Sequence, residues 1–233
     1  MHALDNLIWR ALTTRQQEFA EGTGLARRFQ REVTSLSAFS EPSDDGYKSL
    51  ADLIGARGTA AVFLDRPYKD RNGWEVIGGA PLLEMVCENG HEHSSSSRNG
   101  EPPEILDLGA GDSPEMVQLA ALTKPGPFGT RTHELGTYLG IRMDGKLVAM
   151  AGERLKVPGY TEVSAVCTHP EHAGKGHARL LMQEVMRRIR LRGEVPFLHV
   201  REDNGRAIAL YENLGFRTRA FVHYVVLRSI AEE

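Results

Sequence analysis

A chain of 233 residues carrying 28 Lys+Arg against 31 Asp+Glu, with a formal net charge of −3, has no basic excess with which to hold a nucleic acid. At 41% hydrophobic residues its composition is that of a globular protein, and no apolar run is long enough to cross a bilayer. Two cysteines, Cys87 and Cys167, are too few for a disulfide framework or a metal site, and the first residues lack the charged and apolar regions of a secretory signal, so a cytoplasmic location is expected.

Residues 5–38 place Leu7, Ile8, Trp9 and Leu12, then Phe19, Leu25, Phe29 and Val33, at helical spacing and read as helix. The run Glu41-Pro42-Ser43-Asp44-Asp45-Gly46 makes a loop, and a short helix through Leu50, Leu53 and Ile54 stops near Gly55. Strands are expected at 60–64 and 74–77, with the polar stretch 66–73 turning between them. Residues 80–87 fit helix or strand. Residues 1–105 hold 11 Lys+Arg and 16 Asp+Glu, a mild acidic tilt typical of a solvated surface.

Residues 88–104 combine serine, glycine and proline with almost no apolar side chain and read as a linker, dividing an N-terminal α/β region (1–87) from a second unit (105–233). His91 and His93 in that stretch stand two apart, but without a third ligand nearby they read as solvated loop rather than metal site. Ile105-Leu106-Asp107-Leu108-Gly109-Ala110-Gly111-Asp112 resembles the strand-and-glycine turn that opens S-adenosylmethionine methyltransferases. That fold needs further βα units, and residues 124–134 instead form a turn. A helix capped by Ser113, with Pro114 first and Met116, Leu119, Ala120 and Leu122 as its stripe, accounts for the same residues.

A short helix at 130–136 comes next, then strands at 138–143 and 146–154 joined by the hairpin signal Asp144-Gly145. The stretch 160–168 alternates and is rich in β-branched residues, which puts Glu162, Ser164, Val166 and Thr168 on one face. Beyond Pro170, the glycines Gly174 and Gly176 lead into a long helix whose buried stripe is Leu181, Met182, Val185, Met186 and Ile189. Backbone N–H groups without acceptors and the positive end of that helix make an anion site suited to a pyrophosphate. A strand at 195–201, a helix around Tyr211 and terminal strands over 216–228 complete the chain.

The loop Ala173-Gly174-Lys175-Gly176-His177-Ala178, followed at the right separation by Leu210, Tyr211, Gly215 and Phe216, resembles the GNAT superfamily of acyl-CoA-dependent N-acyltransferases. Ala173 stands where that loop opens with Gln or Arg, which removes one side-chain contact and none of the backbone donors. The resemblance covers roughly residues 105–233 and implies a mixed, mostly antiparallel sheet flanked by helices, an α/β (α+β) fold. The N-terminal region is compatible with a degenerate half of the same fold, packed beside the acceptor mouth.

The resemblance also implies acetyl-CoA as acyl donor, no metal, and a small-molecule or peptide amine as acceptor. Backbone groups of Val166, Cys167 and Thr168 would pair with the pantetheine arm. Residues 173–178, with Arg179, would hold the pyrophosphate, and Asn204 would cap the next helix or touch the cofactor. Glu162 is the expected base, acting through a water, and Tyr211 the expected proton donor to the leaving thiolate, with direct transfer preferred over an acyl-Cys167 route. His133 and His199 are the next candidates for the base. The alternatives are a non-catalytic acyl-CoA-binding module and the methyltransferase suggested by residues 105–112.

Overall fold

The computed structural model describes residues 2–88 and 103–230. Most of the linker expected at 88–104, with His91 and His93, lies outside the described residues.

The N-terminal stretch is not one helix. A short helix α1 (Leu7–Thr13) gives way to β1 (Ala20–Glu21), β2 (Ala26–Phe29) and β3 (Ser37–Phe39), a small antiparallel sheet. Helical spacing of Leu25, Phe29 and Val33 misled because 26–29 finds ladder partners at 20–21 and 37–39, and tertiary pairing overrides a local pattern. Phe29 and Val33 are buried as expected, whereas Leu25 is exposed. Helix α2 (Asp44–Ile54) ends at Gly55 as expected but begins within the stretch expected as loop, because the Ser43 hydroxyl accepts from the Gly46 N–H and caps it there.

Strand β4 (Thr59–Leu64) precedes β5 (Trp74–Val86), one strand of 13 residues that absorbs both the segment expected at 74–77 and the undecided stretch 80–87. After β6 (Leu106–Leu108) comes α3 (Ser113–Thr123), whose cap position is Asp112 and not Ser113. The Asp112 carboxylate accepts from the Gly109 N–H, while the Ser113 hydroxyl donates to the Thr130 carbonyl, tying α3 to the loop beyond it. The short helix expected at 130–136 is a single 3-10 turn, Thr132–Leu135. Strands β7 (Tyr138–Met143) and β8 (Lys146–Val157) turn at Asp144-Gly145, both residues at positive φ. Strand β9 (Tyr160–Thr168), helix α4 (His177–Leu191), β10 (Val195–Arg201) and α5 (Gly205–Asn213) follow, and β11 (Arg217–Ser229) is one long strand where several were expected.

The main sheet has eight strands in the order β4-β11-β5-β10-β9-β8-β7-β6. It is mixed and mostly antiparallel, with β9 and β10 as a parallel pair. Strand β5 precedes the segment at 88–104, yet it lies between β10 and β11, antiparallel to both. Strands from both sides of the expected boundary therefore share one sheet. They share a core too: Met85 and Cys87 pack with Leu181, Val185, Ile189, Leu198 and Phe216, while Val86 joins α1 residues and Phe197 in a second cluster.

Candidate functional site

The central feature is a parting of strands. β9 and β10 pair only through Tyr160↔Val195, Thr161↔Pro196 and Glu162↔Phe197, after which their register stops. A cavity of about 610 Å³ occupies the gap, lined by Val166 from β9, His199 and Val200 from β10, and Asn204 and Tyr211 from α5. The segment 124–128 lines it from the side of α3, and Leu36, Phe63 and Tyr224 line it from the N-terminal region and β11.

Two bulges shape this gap. Between Met150↔Cys167 and Gly152↔Ser164, β9 takes three steps to two on β8, and Ala165 sits at φ 53°. The extra residue breaks the alternation expected along β9: Val163 and Val166 pack toward α4, while Ala165 and Cys167 pack toward α3. Glu162 and Ser164 therefore do not continue onto the face of Val166 and Thr168. Between Glu153↔Val163 and Lys156↔Thr161 the extra residue is on β8, which brings Arg154 and Leu155 together opposite Glu162.

Glu162 is 1% exposed and fully engaged. Arg154 donates to it twice, Nε to Oε2 at 2.8 Å and Nη2 to Oε1 at 2.7 Å. The Leu155 N–H donates to Oε2 at 3.2 Å, and His199 Nδ1 stands 2.8 Å from Oε1. Burial alone would raise its pKa, but the guanidinium and these hydrogen bonds overcome that and hold the carboxyl down at about 2. The carboxylate expected to act as a base through a water thus sits within contacts that fix Arg154 and His199.

His199 is flanked on its other side by Glu84 of β5, with Nε2 at 3.5 Å from Oε2, an ion-pair distance too long for a hydrogen bond. Burial would lower its pKa, and the two carboxylates outweigh burial and raise it. Glu84 in turn accepts from Arg219 of β11 at 2.5 Å, and Arg219 also pairs with Asp5. One chain of charges thus runs from the cavity to the N-terminal residues. Sequence reading held His199 in reserve and missed Arg154, Glu84 and Arg219. The two-residue turn Pro158-Gly159 was a usable signal, since it sets β8 against β9, but counting back from it places Arg154 opposite Val163 until the bulge intervenes.

Tyr211 is 8% exposed and lines the cavity, its ring edge-on to Phe216 at 6.1 Å. Burial pushes its phenol up to about 12. Asn204 caps α5, its Oδ1 accepting from the Ala207 N–H at 3.1 Å, and the residue also lines the cavity. Cys167 is buried, and burial raises its thiol to about 11, which leaves almost no thiolate for an acyl-cysteine step.

At the start of α4, Gly174 (φ 78°) and Gly176 (φ 84°) adopt left-handed backbone, a conformation L side chains resist. Helical bonding begins with the Leu180 N–H donating to the Gly176 carbonyl at 3.1 Å, which places the glycine loop at the positive end of α4. Ala173, Gly174 and Lys175 are exposed, His177 is buried, and Ala178 and Arg179 are half-buried. Thr168, half-buried, ends β9 before this loop. The resemblance to methyltransferases finds no such setting: β6 is an edge strand, and no residue of 105–112 lines the cavity. Among the described residues no group of three or more His, Cys, Asp or Glu is placed to hold a metal, and no helix is long and apolar enough to cross a membrane.

A family model described as FR47-like protein matches residues 138–226, from β7 into β11. The N-alpha-acetyltransferase RimI of Mycobacterium tuberculosis is 34% identical over 128 residues, covering 50% of this chain and 80% of the relative. A crystal structure from Novosphingobium aromaticivorans, assigned to the acetyltransferases of the GNAT family, is 36% identical and superimposes with a TM-score of 0.87 over 98% of this chain and 99% of that one. A GCN5-related N-acetyltransferase from Kribbella flavida, at 16% identity and a TM-score of 0.61 over 98% of this chain and 94% of its own, shares the fold.

Proposed function

The chain belongs to the GNAT family of acetyltransferases, and on that premise we propose that it transfers an acetyl group from acetyl-CoA directly to a primary amine. The observation that carries this reading is the parting of β9 from β10 after Glu162, with Tyr211 and Asn204 lining the gap and the glycine loop 173–178 beyond the end of β9.

In this reading the pantetheine arm lies along Val166, Cys167 and Thr168, and the pyrophosphate sits against the glycine loop at the start of α4, with Arg179 nearby. The amine nitrogen attacks the thioester carbonyl, the C–N bond forms, the C–S bond breaks, and the sulfur leaves as thiolate. Tyr211, protonated throughout the neutral range, donates a hydrogen bond to that thiolate. Its phenol is a weaker acid than a thiol, so it stabilises the leaving group without surrendering its proton. The amine sheds its own proton to water in the cavity. Glu162 keeps Arg154 and His199 in position at the closed end of the gap.

The test is calorimetric binding of acetyl-CoA, followed by thiol release in the presence of a panel of primary amines. Binding with amine-dependent thiol release supports the reading. Tight binding with no release from any amine would favour an acyl-CoA-binding module, and stabilisation by S-adenosylmethionine in place of CoA would overturn it.

A further inference from the structure

The charged residues that line the cavity are Lys124, Arg154, Arg201 and His199, and among the described lining residues none is a carboxylate. Arg201 is exposed and engaged by Asp203 through two contacts, at 2.9 and 2.7 Å. Arg154 is different. Its side chain is 9% exposed, at the closed end of the gap where an acceptor would meet the acyl group. Glu162 grips its Nε and Nη2 edge, which orients the planar guanidinium and leaves the second Nη2–H and both Nη1–H groups without a partner among the described residues. Nη1 points toward the 124–128 segment, 3.9 Å from where a Cβ would stand on Gly126, so the absence of a side chain there keeps this edge open. No Arg154 nitrogen is among the atoms that are both buried and unpartnered, so this edge is open to the cavity, where a ligand carboxylate can reach it. Around them stand Leu36, Phe63 and Tyr224, an apolar and aromatic wall.

We propose that the acceptor is an amine bearing its own carboxylate, an apolar or aromatic α-amino acid, whose carboxylate docks on the free edge of Arg154 while its side chain lies against Phe63 and Tyr224. This deepens the acetyl-transfer reading and rests on it. The same geometry works against polyamines and other multiply cationic acceptors, because the described lining offers no carboxylate to receive a second ammonium. The mild acidic balance of residues 1–105 lies outside this lining.

The full chain with acetyl-CoA is assayed with phenylalanine, its carboxamide and 2-phenylethylamine. The amino acid should be preferred on the order of 10- to 100-fold in kcat/KM, mainly through KM, as befits a lost charge-assisted pair. Independently of turnover, 3-phenylpropanoate should raise the Tm of the protein, with CoA and without it, and 3-phenylpropanamide should not. Removing the ion pair whole, in Arg154→Met with Glu162→Leu, avoids a stranded buried charge and should abolish the discrimination in a protein shown by circular dichroism to be folded. Equal use of the three amines, or equal shifts with propanoate and propanamide, overturns the proposal. A preference for succinyl-CoA over acetyl-CoA with 2-phenylethylamine as acceptor also overturns it, because the carboxylate would then belong to the acyl donor. A propanoate shift with no CoA shift would instead support the anion site and overturn the acetyl-transfer reading.

Discussion

Tyr211 and Glu162 show how differently two residues in one site can be read from sequence. The place of Tyr211 beside the cavity was legible because its spacing to Gly215 and Phe216 is local to one helix and its exit. Tyr211→Phe should lower kcat by about 10- to 100-fold, the value of one charge-assisted hydrogen bond, while acetyl-CoA affinity measured by calorimetry stays within about twofold. The role of Glu162 was not legible, since it depends on Arg154, brought opposite by a bulge, and on His199, 37 residues away in sequence. Its depressed pKa means that its contribution to stability is present above the ordinary carboxylate pKa and is lost as the pH falls toward about 2. The raised His199 pKa works the other way: its contribution is present below about 6.5 and is lost as the pH rises through the folded-state value. Glu162→Gln should therefore cost most at pH 5–6, about 3–5 kcal/mol by urea unfolding, for a broken buried ion pair. The gap from the parent should shrink toward pH 2 and, as His199 loses its proton, narrow above neutral pH. A constant gap from pH 3 to 9 would show that the pair is not charged as described.

Elements whose ends are written in local chemistry were visible in the sequence: Gly55 ends α2, Asp144-Gly145 turns β7 into β8, and Asn204 starts α5. Elements defined by distant partners were not. Strand β2 hides in a helical pattern, and β5 read as two unrelated pieces because its pairing partners begin at residue 197. The glycine loop belongs to the first group, and its backbone makes a sharp test. At Gly176 a valine faces a left-handed φ of 84° as well as blocking close approach of a phosphate. Gly176→Val should weaken acetyl-CoA binding by at least about 10-fold in calorimetry, and parental affinity would remove the phosphate site from this loop.

At the scale of the molecule, residues 1–87 and 105–233 share one eight-stranded sheet, and Gln16 adds a further tie: its side chain donates to the Arg154 carbonyl at 2.7 Å and accepts from the Lys156 N–H. Residues 104–233 expressed alone would leave β10 and β11 without the strand that lies between them and would lose Glu84 from beside His199. That fragment should aggregate or fail to show a cooperative transition, and co-expression with residues 1–88 should restore soluble protein and amine-dependent thiol release together. A soluble, cooperatively folding and fully active fragment would show that β4 and β5 are dispensable. Within residues 1–87 only the short strands β1, β2 and β3 make a sheet of their own, while β4 and β5 take their strand partners from beyond residue 104.

The seat of β11 also sets an order of events during synthesis. Strands β4 and β5 are made early, yet each pairs with β11, which is translated after every other strand of the sheet. Until β11 arrives, one side of β4 and one side of β5 stay unpaired, and the sheet stands open along a seam. A nascent chain halted before residue 217 would thus expose two strand edges at once, a natural substrate for chaperones and proteases. The last strand of this sheet to be made is the one that joins β4 to β5.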